Sequence, residues 1–242
     1  MKAMILAAGL GRRLKPLTDS TPKSLVPLAG KPLLFYIIEK LIAAGINQII
    51  INVHHFAETI IKYVEQNKKF GIEIVFSHEE TLLDTGGGLK KASWFFDDGQ
   101  PFILHNVDVL SGIDLSQMMA YHNQKKSLVT LAVRKKKTSR YLLFNQENRL
   151  VGWQSLETGN TEMVGESGQN PENLSFMGIH VLSPEIFPLL PCENIFSIIK
   201  AYLDLAKKGH TIIGYRNDEN FWVDLGRKEN LQKAEDYILS KT

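Results

Sequence analysis

The sequence predicts an α/β protein built on an open, mixed and mainly parallel sheet flanked by helices. Three observations predict it. Short β-branched runs alternate with segments of helical spacing through the first half, glycines follow two of the helical segments as stops, and 242 residues with 44% hydrophobic content suffice for one substantial core. The strand-like runs are residues 2–8, 48–53, 73–77, 102–104 and 128–133. Between them, 33–44, 57–66, 89–96 and 115–124 carry apolar residues at helical spacing, and Gly45 and Gly71 act as stops. The order is βαβαβαβαβ, which a parallel sheet with crossover helices requires. The second half changes character. Residues 141–145 and 150–154 read as strands, the polar stretch 157–173 as a long loop, 174–182 as a strand, 196–208 as a helix, 211–215 as a strand and 228–239 as a last helix. No repeat, low-complexity linker or hexapeptide array interrupts the chain, so 1–242 reads as one domain without a β-helix.

Charge and composition exclude several classes of function. With 28 basic and 26 acidic residues and a formal charge of +2, the chain has no broad basic face for nucleic acid. A single cysteine, Cys192, rules out an internal disulfide framework and a Cys-rich metal site, as expected in a reducing compartment. The apolar run at the N-terminus is too short for a signal sequence and is followed at once by Gly9 and Arg12. Nothing approaches the roughly 18 to 20 uninterrupted apolar residues of a membrane span. The expectation is a soluble, cytoplasmic protein that binds neither nucleic acid nor membrane, as a monomer or homodimer.

The most informative segment is Leu6-Ala7-Ala8-Gly9-Leu10-Gly11-Arg12-Arg13-Leu14-Lys15-Pro16-Leu17-Thr18, which leaves the first strand. Glycines here let backbone N–H groups approach a phosphate that a Cβ would hold away. Arg13, together with Lys23 in Thr21-Pro22-Lys23-Ser24-Leu25-Val26-Pro27, can neutralise a triphosphate, one as a fork and the other as a point charge. In open α/β sheets ligands sit at the carboxyl ends of strands, where this loop lies. Taken alone, Gly9-Leu10-Gly11 reads equally as a simple turn. A dinucleotide fingerprint needs a third small residue where Leu14 stands, and a Walker A loop needs a Gly-Lys-Ser/Thr that is missing.

These two segments resemble the sugar-1-phosphate nucleotidyltransferase family, whose signature is Leu-Ala-Ala-Gly-x-Gly-x-Arg-Leu/Met-x-Pro-Leu-Thr followed by Pro-Lys-x-Leu-x-Pro. Every fixed element of both motifs is present, and later landmarks recur in order along nearly the whole chain. The resemblance implies the Rossmann-like nucleotide-diphospho-sugar transferase fold, with a nucleotide-binding half at 1–135 and a sugar-binding, metal-completing half at 136–242. It implies that Ala8, Gly9, Gly11 and Arg13 hold the nucleoside triphosphate and that Lys23 sits between nucleotide and sugar phosphate, Arg13 and Lys23 being the catalytic cations. In Asp84-Thr85-Gly86-Gly87-Gly88-Leu89, read as a loop with a helix following at once, it implies nucleotide-binding roles for Thr85, Gly86 and Gly87.

Two acids complete the expected site. Asp108 in His105-Asn106-Val107-Asp108-Val109 is the first-choice Mg²⁺ ligand, and Asp224 in Phe221-Trp222-Val223-Asp224-Leu225-Gly226 matches the family's Trp-x-Asp element. Mg²⁺ takes one or two carboxylates plus phosphate oxygens and water, so two aspartates are a sufficient set. His54, His55, His78 and His105 lack the spacing of a zinc site, and no Gly-x-Ser-x-Gly elbow exists. The chain departs from the family in two places. Many relatives read Gly-Asp where Val107-Asp108 stands, and many carry Glu-Lys-Pro, whose lysine contacts the sugar phosphate, where this chain has only the loop with Thr161-Glu162-Met163. Phe176 and Gly178 match the end of the sugar-site strand. The expected reaction is Mg²⁺-dependent nucleotidyl transfer from a nucleoside triphosphate to a sugar 1-phosphate, with release of pyrophosphate. The first choice of substrates is UTP with N-acetylmuramic acid 1-phosphate, because the acidic-Thr-Gly-Gly-Gly segment and the short chain resemble muramate-1-phosphate uridylyltransferases. GTP with mannose 1-phosphate is the alternative. A non-catalytic, nucleotide-binding regulatory homologue is the competing class; it would be marked by loss of the metal acids or the basic loop, and both are intact.

Overall fold

The structure, a computed structural model, describes residues 1–165 and 170–241. Among the described residues the strands are β1 (Lys2–Leu6), β2 (Pro27–Leu28), β3 (Lys31–Pro32), β4 (Gln48–Val53), β5 (Glu73–His78), β6 (Phe102–Asn106), β7 (Val109–Ser111), β8 (Val129–Arg134), β9 (Arg140–Phe144), β10 (Leu150–Ser155), β11 (Thr161–Met163), β12 (Glu172–Leu182), β13 (Ile212–Arg216) and β14 (Trp222–Asp224). The helices are α1 (Leu33–Ala43), α2 (Ala57–Gln66), α3 (Asp84–Lys91), α4 (Leu115–Lys125), α5 (Ile198–Lys207) and α6 (Glu229–Leu239). This is the mixed α/β class that the alternation predicts, with a parallel centre flanked by helices.

By contact density the chain divides into two units, one of residues 1–82, 104–115 and 220–242, the other of 83–103 and 116–219. In the first unit β4 pairs in parallel with β1 on one side and β5 on the other, in a register that sets Leu6 beside Asn52 and Val53 beside His78. Ile49, Ile50, Ile51 and Val53 are all fully buried, the continuous apolar run of a strand covered on both faces. Helix α1 buries Leu33, Leu34, Ile37, Ile38 and Leu41, one stripe at i, i+4 spacing, and Gly45 stops it in a left-handed conformation. Gly71 closes a short 3₁₀ stretch (Lys68–Gly71) beyond α2 rather than α2 itself. Strand β1 has β4 on one side and β6 on the other. The chain leaving β1 therefore enters the place where the strand order reverses, which is where open α/β sheets bind ligands.

In the second unit the long strand β12 pairs antiparallel with β9 through Glu172–Leu174 and with β8 beyond, while β13 joins β8 in parallel. Strand β10 lies between β9 and β11, antiparallel to both. The unit's apolar interior includes Leu142, Phe144, Leu174, Ile179, Val181 and the fully buried Tyr202, whose hydroxyl meets His180 Nδ1 at 2.9 Å.

Three local expectations need correction. The stretch 157–173 is not one loop: Thr161–Met163 forms β11, zipped to β10 through Trp153 and Glu162, and β12 already begins at Glu172. Residues 166–169 of that expected loop lie outside the described residues. The helix expected at 89–96 instead runs from Asp84 to Lys91, with a separate 3₁₀ turn at Ser93–Phe95. Its three glycines lie inside the helix, and the chain at 194–196 packs directly onto Gly86 and Gly87. The N–H of Gly86 donates to the Phe196 carbonyl at 3.0 Å, and a Cβ on Gly87 would run into the carbonyl oxygen of Asn194. We expect Gly87→Ala to lower stability by about 1–3 kcal/mol, the usual cost of overpacking, as read by urea unfolding. An unchanged midpoint would mean that the backbone at 194 yields freely. Finally, β2–β3 and β7–β14 are too short to show any period in the sequence.

Candidate active site

The first unit gathers the basic loop and both predicted acids. Past β1, Gly11 adopts φ +63 and caps a 3₁₀ turn at Arg12–Leu14. Its carbonyl accepts bonds from the Leu14 N–H and the Thr18 hydroxyl, both at 2.9 Å. A Cβ there would stand 2.9 Å from Thr18 Cγ2 and 3.1 Å from Lys23 Cβ, so this glycine lets the loop close against the segment that carries Lys23. We expect Gly11→Val to weaken nucleotide binding by about tenfold or more. A β-branched residue pays about 1–2 kcal/mol for a left-handed backbone and would also push Lys23 aside. Calorimetric titration with a nucleoside triphosphate reads this, and wild-type affinity would refute it.

The acids are placed by a two-stranded ribbon. Strand β14 pairs antiparallel with β7 so that Asp224 stands opposite Val109, and the Leu225 N–H donates to the Asp108 carbonyl at 2.7 Å. Alternation then sorts the side chains. In β14, Val223 and Leu225 enter a core with Leu14, Val26, Leu28, Leu33, Leu110 and Ala234 while Asp224 between them is left partly open, and Asp108, just before β7, is also partly open. Leu14 comes from the basic loop and Val26 from the Lys23 segment, so one cluster anchors cations and acids together. Val107, the residue that departs from the Gly-Asp pattern, is buried, and its N–H bonds to the Leu6 carbonyl at the end of β1. The side chain of Asp108, the next residue, is left partly open.

Lys23 and Asp108 form a short ion pair with side chains 11% and 18% exposed. Arg13 lies 3.8 Å from Asp224 with 58% and 33% exposure, a geometry that contributes little by itself in water. Asp224 is held in place: its Oδ1 accepts the Gly226 N–H at 2.7 Å, and the Asn230 amide bonds to its carbonyl at 2.6 Å. Two carboxylates and two cations therefore interleave in one place. Among the described residues no cluster of three His, Cys, Asp or Glu side chains could form an all-protein metal cage. The donor set suits a hard cation that takes one or two carboxylates and completes its shell with phosphate oxygens and water.

Sequence reasoning missed the residues that support this arrangement. Asn52, 3% exposed, accepts the Ala7 N–H at 2.7 Å and donates to Glu79 at 2.6 Å, fixing the backbone just before Ala8 and Gly9. A polar residue inside the run Ile49-Ile50-Ile51-Asn52-Val53 was the available sign of it. Lys40 on α1 donates to the Ser111 and Ile113 carbonyls at 2.7 and 2.8 Å, tying the helix to the chain after β7; burial lowers its pKa to about 8 against the opposing pull of Asp114. His54 is a satisfied structural residue, its Nδ1 2.8 Å from the Glu79 carbonyl. His105 is fully buried, and burial pushes its pKa down to about 4.

The remaining expected site residues belong to the second unit. Thr85 Oγ1 accepts the Ile198 N–H at the start of α5, and Gly86 and Gly87 pack as described above. Gly178 has φ +78 within the bulge that shifts the β12–β8 register between Phe176 and His180. Phe176 lines a cavity of about 460 Å³ floored by β9, β10 and β12 and flanked by the first turns of α5.

Comparison with known proteins shows the family and the fold. Residues 2–241 match the nucleotidyl transferase family. A UTP–glucose-1-phosphate uridylyltransferase of Synechocystis is 30% identical over 100% of this chain and 64% of its own length. The mannose-1-phosphate guanylyltransferase catalytic subunit beta of Dictyostelium discoideum is 30% identical over 95% of this chain and 62% of its own. The chain thus spans somewhat under two thirds of the curated relatives it matches. Among solved structures, a putative glucose-1-phosphate thymidylyltransferase from Bacillus anthracis shares the fold with a TM-score of 0.81 at 18% identity, over 98% of this chain and 94% of that one. Among the described residues no helix is long and apolar enough to cross a membrane.

Proposed function

We propose, since the chain belongs to the nucleotidyl transferase family, that it transfers a nucleotidyl group from a nucleoside triphosphate to a sugar 1-phosphate and releases pyrophosphate. The observation that carries this is the interleaving of Arg13 and Lys23 with Asp108 and Asp224 beside a loop that Gly11 keeps tight. A phosphate oxygen of the sugar 1-phosphate attacks the α-phosphorus, that bond forms as the bond from the α-phosphorus to the bridging oxygen breaks, and pyrophosphate leaves. The attacker is already an anion, so no protein nucleophile or general base is needed. What remains is to bring two polyanions together and to hold the charge that develops. Arg13 and Lys23 lower that repulsion as a fork and a point charge. Asp108 and Asp224 would hold Mg²⁺, which when bound neutralises phosphate oxygens and activates the phosphorus as a Lewis acid. The ion pairs they make here hold both cations beside the carboxylates that would take the metal.

The first substrate pair is UTP with N-acetylmuramic acid 1-phosphate, supported by the Asp84-Thr85-Gly86-Gly87-Gly88 segment. GTP with mannose 1-phosphate is the second, favoured by the guanylyltransferase among the relatives. Base choice can turn on one hydrogen-bonding contact, worth about 1–3 kcal/mol. A panel of four nucleoside triphosphates against several sugar 1-phosphates, with Mg²⁺ and pyrophosphate detection, tests all of this. Turnover with UTP and the muramate phosphate supports the first pair, faster GTP and mannose 1-phosphate turnover installs the second, and silence with every pair refutes nucleotidyl transfer.

A further inference from the structure

The ribbon that carries the two aspartates is short, and one charged side chain holds its far end. Strands β7 and β14 have three residues each and, among the described residues, pair only with one another. A two-stranded ribbon is marginally stable in water by itself, and a slip of one residue would turn Asp224 into the core and Val223 and Leu225 out of it. Helix α1 packs against the ribbon, and Leu33, Tyr36 and Lys40, at i, i+3 and i+7, share one face of that helix. Leu33 and Tyr36 join the core of Leu110, Val223 and Leu225. One helical turn on, the Lys40 ammonium donates to the carbonyls of Ser111 and Ile113 at 2.7 and 2.8 Å. Gly112, between them, donates its N–H to the Phe221 carbonyl at 2.8 Å, so the lysine grips both neighbours of the bond that closes this end of the ribbon. A lysine in the last turn of a helix ordinarily reaches for water and the helix's own terminal carbonyls, but this one is drawn inward. Burial lowers its pKa to about 8 against the pull of Asp114, so it is still an ammonium at neutral pH. Apolar packing has no direction and does not fix a strand along its axis, whereas two charge-assisted bonds do.

We propose that Lys40 is a positioning residue for the metal site: by holding Ser111 and Ile113 it keeps β7 and β14 in the register that sets Asp224 opposite Val109, the residue after Asp108. The metal role of the two aspartates rests on the nucleotidyl-transfer reading; the hold on the ribbon does not. Among the described residues Lys40 makes no hydrogen bond or ion pair with either aspartate, so it acts on where the carboxylates stand and not on their charge. Its loss is therefore expected to loosen the metal without altering the chemistry of the filled site. The requirement for Mg²⁺ rises, and kcat at saturating Mg²⁺ stays near its starting value.

The test uses the full chain with Lys40→Met, which keeps the aliphatic stem and loses the ammonium, and Lys40→Arg, which keeps the charge. Hydrogen exchange read by mass spectrometry follows peptides covering 107–113 and 220–226, with 48–53 on β4 as the reference. The methionine form is expected to exchange about tenfold faster in both ribbon peptides, the effect of losing a charge-assisted bond, with the reference unchanged. The Mg²⁺ concentration for half-maximal pyrophosphate release should rise about tenfold as well, and arginine should restore both in part. Unchanged exchange in the ribbon overturns the proposal, and so does faster ribbon exchange with an unchanged Mg²⁺ requirement. Exchange that quickens equally in the reference peptide marks a general packing role and also overturns it, as does an arginine form no better than methionine. Should the methionine form not fold, Lys40→Gln carries the same comparison; failure of both makes the lysine a folding residue and rejects the positioning role. Absence of pyrophosphate release by the unaltered chain, with ribbon exchange as expected, sinks the nucleotidyl-transfer reading and leaves the hold on the ribbon standing.

Discussion

Asp108→Asn and Asp224→Asn are each expected to lower kcat by about 10²–10³-fold, the scale on which loss of one preorganised electrostatic partner of the reacting centre is felt. Asparagine is nearly isosteric, so the change removes anionic charge and leaves the shape. At position 224 it also keeps the Oδ1 that accepts the Gly226 N–H, and the ribbon should survive. At position 108 the neutral amide leaves Lys23, 11% exposed, without its counter-ion, so some stability is lost as well. Activity and unfolding must therefore be measured on the same protein. Pyrophosphate release against Mg²⁺ concentration separates the two effects: a weakened metal site raises the Mg²⁺ needed for half-maximal rate, and a folding defect does not. If the proposed reaction holds, EDTA should stop pyrophosphate release by the unaltered chain and added Mg²⁺ restore it. Full activity of either variant removes that aspartate from the proposed metal site.

Lys23→Ala and Arg13→Ala are expected to cost about 2–4 kcal/mol of transition-state stabilisation, roughly thirty- to a thousandfold in kcat/KM. The two should differ in character. Lys23 is enclosed and paired, so its loss also uncovers the Asp108 carboxylate and should register in the unfolding midpoint. Arg13 is 58% exposed and only loosely paired with Asp224 at 3.8 Å, so its loss should leave stability alone and fall mainly on the triphosphate. Added salt should weaken the Arg13 contribution first, because exposed charges are screened most. Unchanged rate together with unchanged triphosphate affinity in either variant would withdraw that cation from catalysis.

Much of this could be read without coordinates. The strands at 48–53 and 73–77 and the helix at 57–66 emerge within a residue or two of the expected bounds, because each is long and regular enough for its period to show. The glycine and basic loop, Asp108 and Asp224 were legible too, since their chemistry is concentrated in short contiguous runs. Four features were not. The glycines at 86 and 87 look like a ligand loop in sequence, but they lie in a helix onto which a segment more than a hundred residues later packs. The pairing of Lys23 with Asp108 depends on a core joining residues as distant as Leu14 and Ala234. Asn52 gains its role only when β4 brings it beside Ala7. Lys40 reaches the Ser111 and Ile113 carbonyls, more than seventy positions on, only once α1 lies against the ribbon. By itself the sequence determined the class of fold, the family and the charged groups gathered in the candidate site, because local spacing and residue chemistry carry that information. Tertiary structure alone decided which charges neighbour one another and which glycines serve packing, because those depend on contacts between segments whose separation along the chain has no local signature.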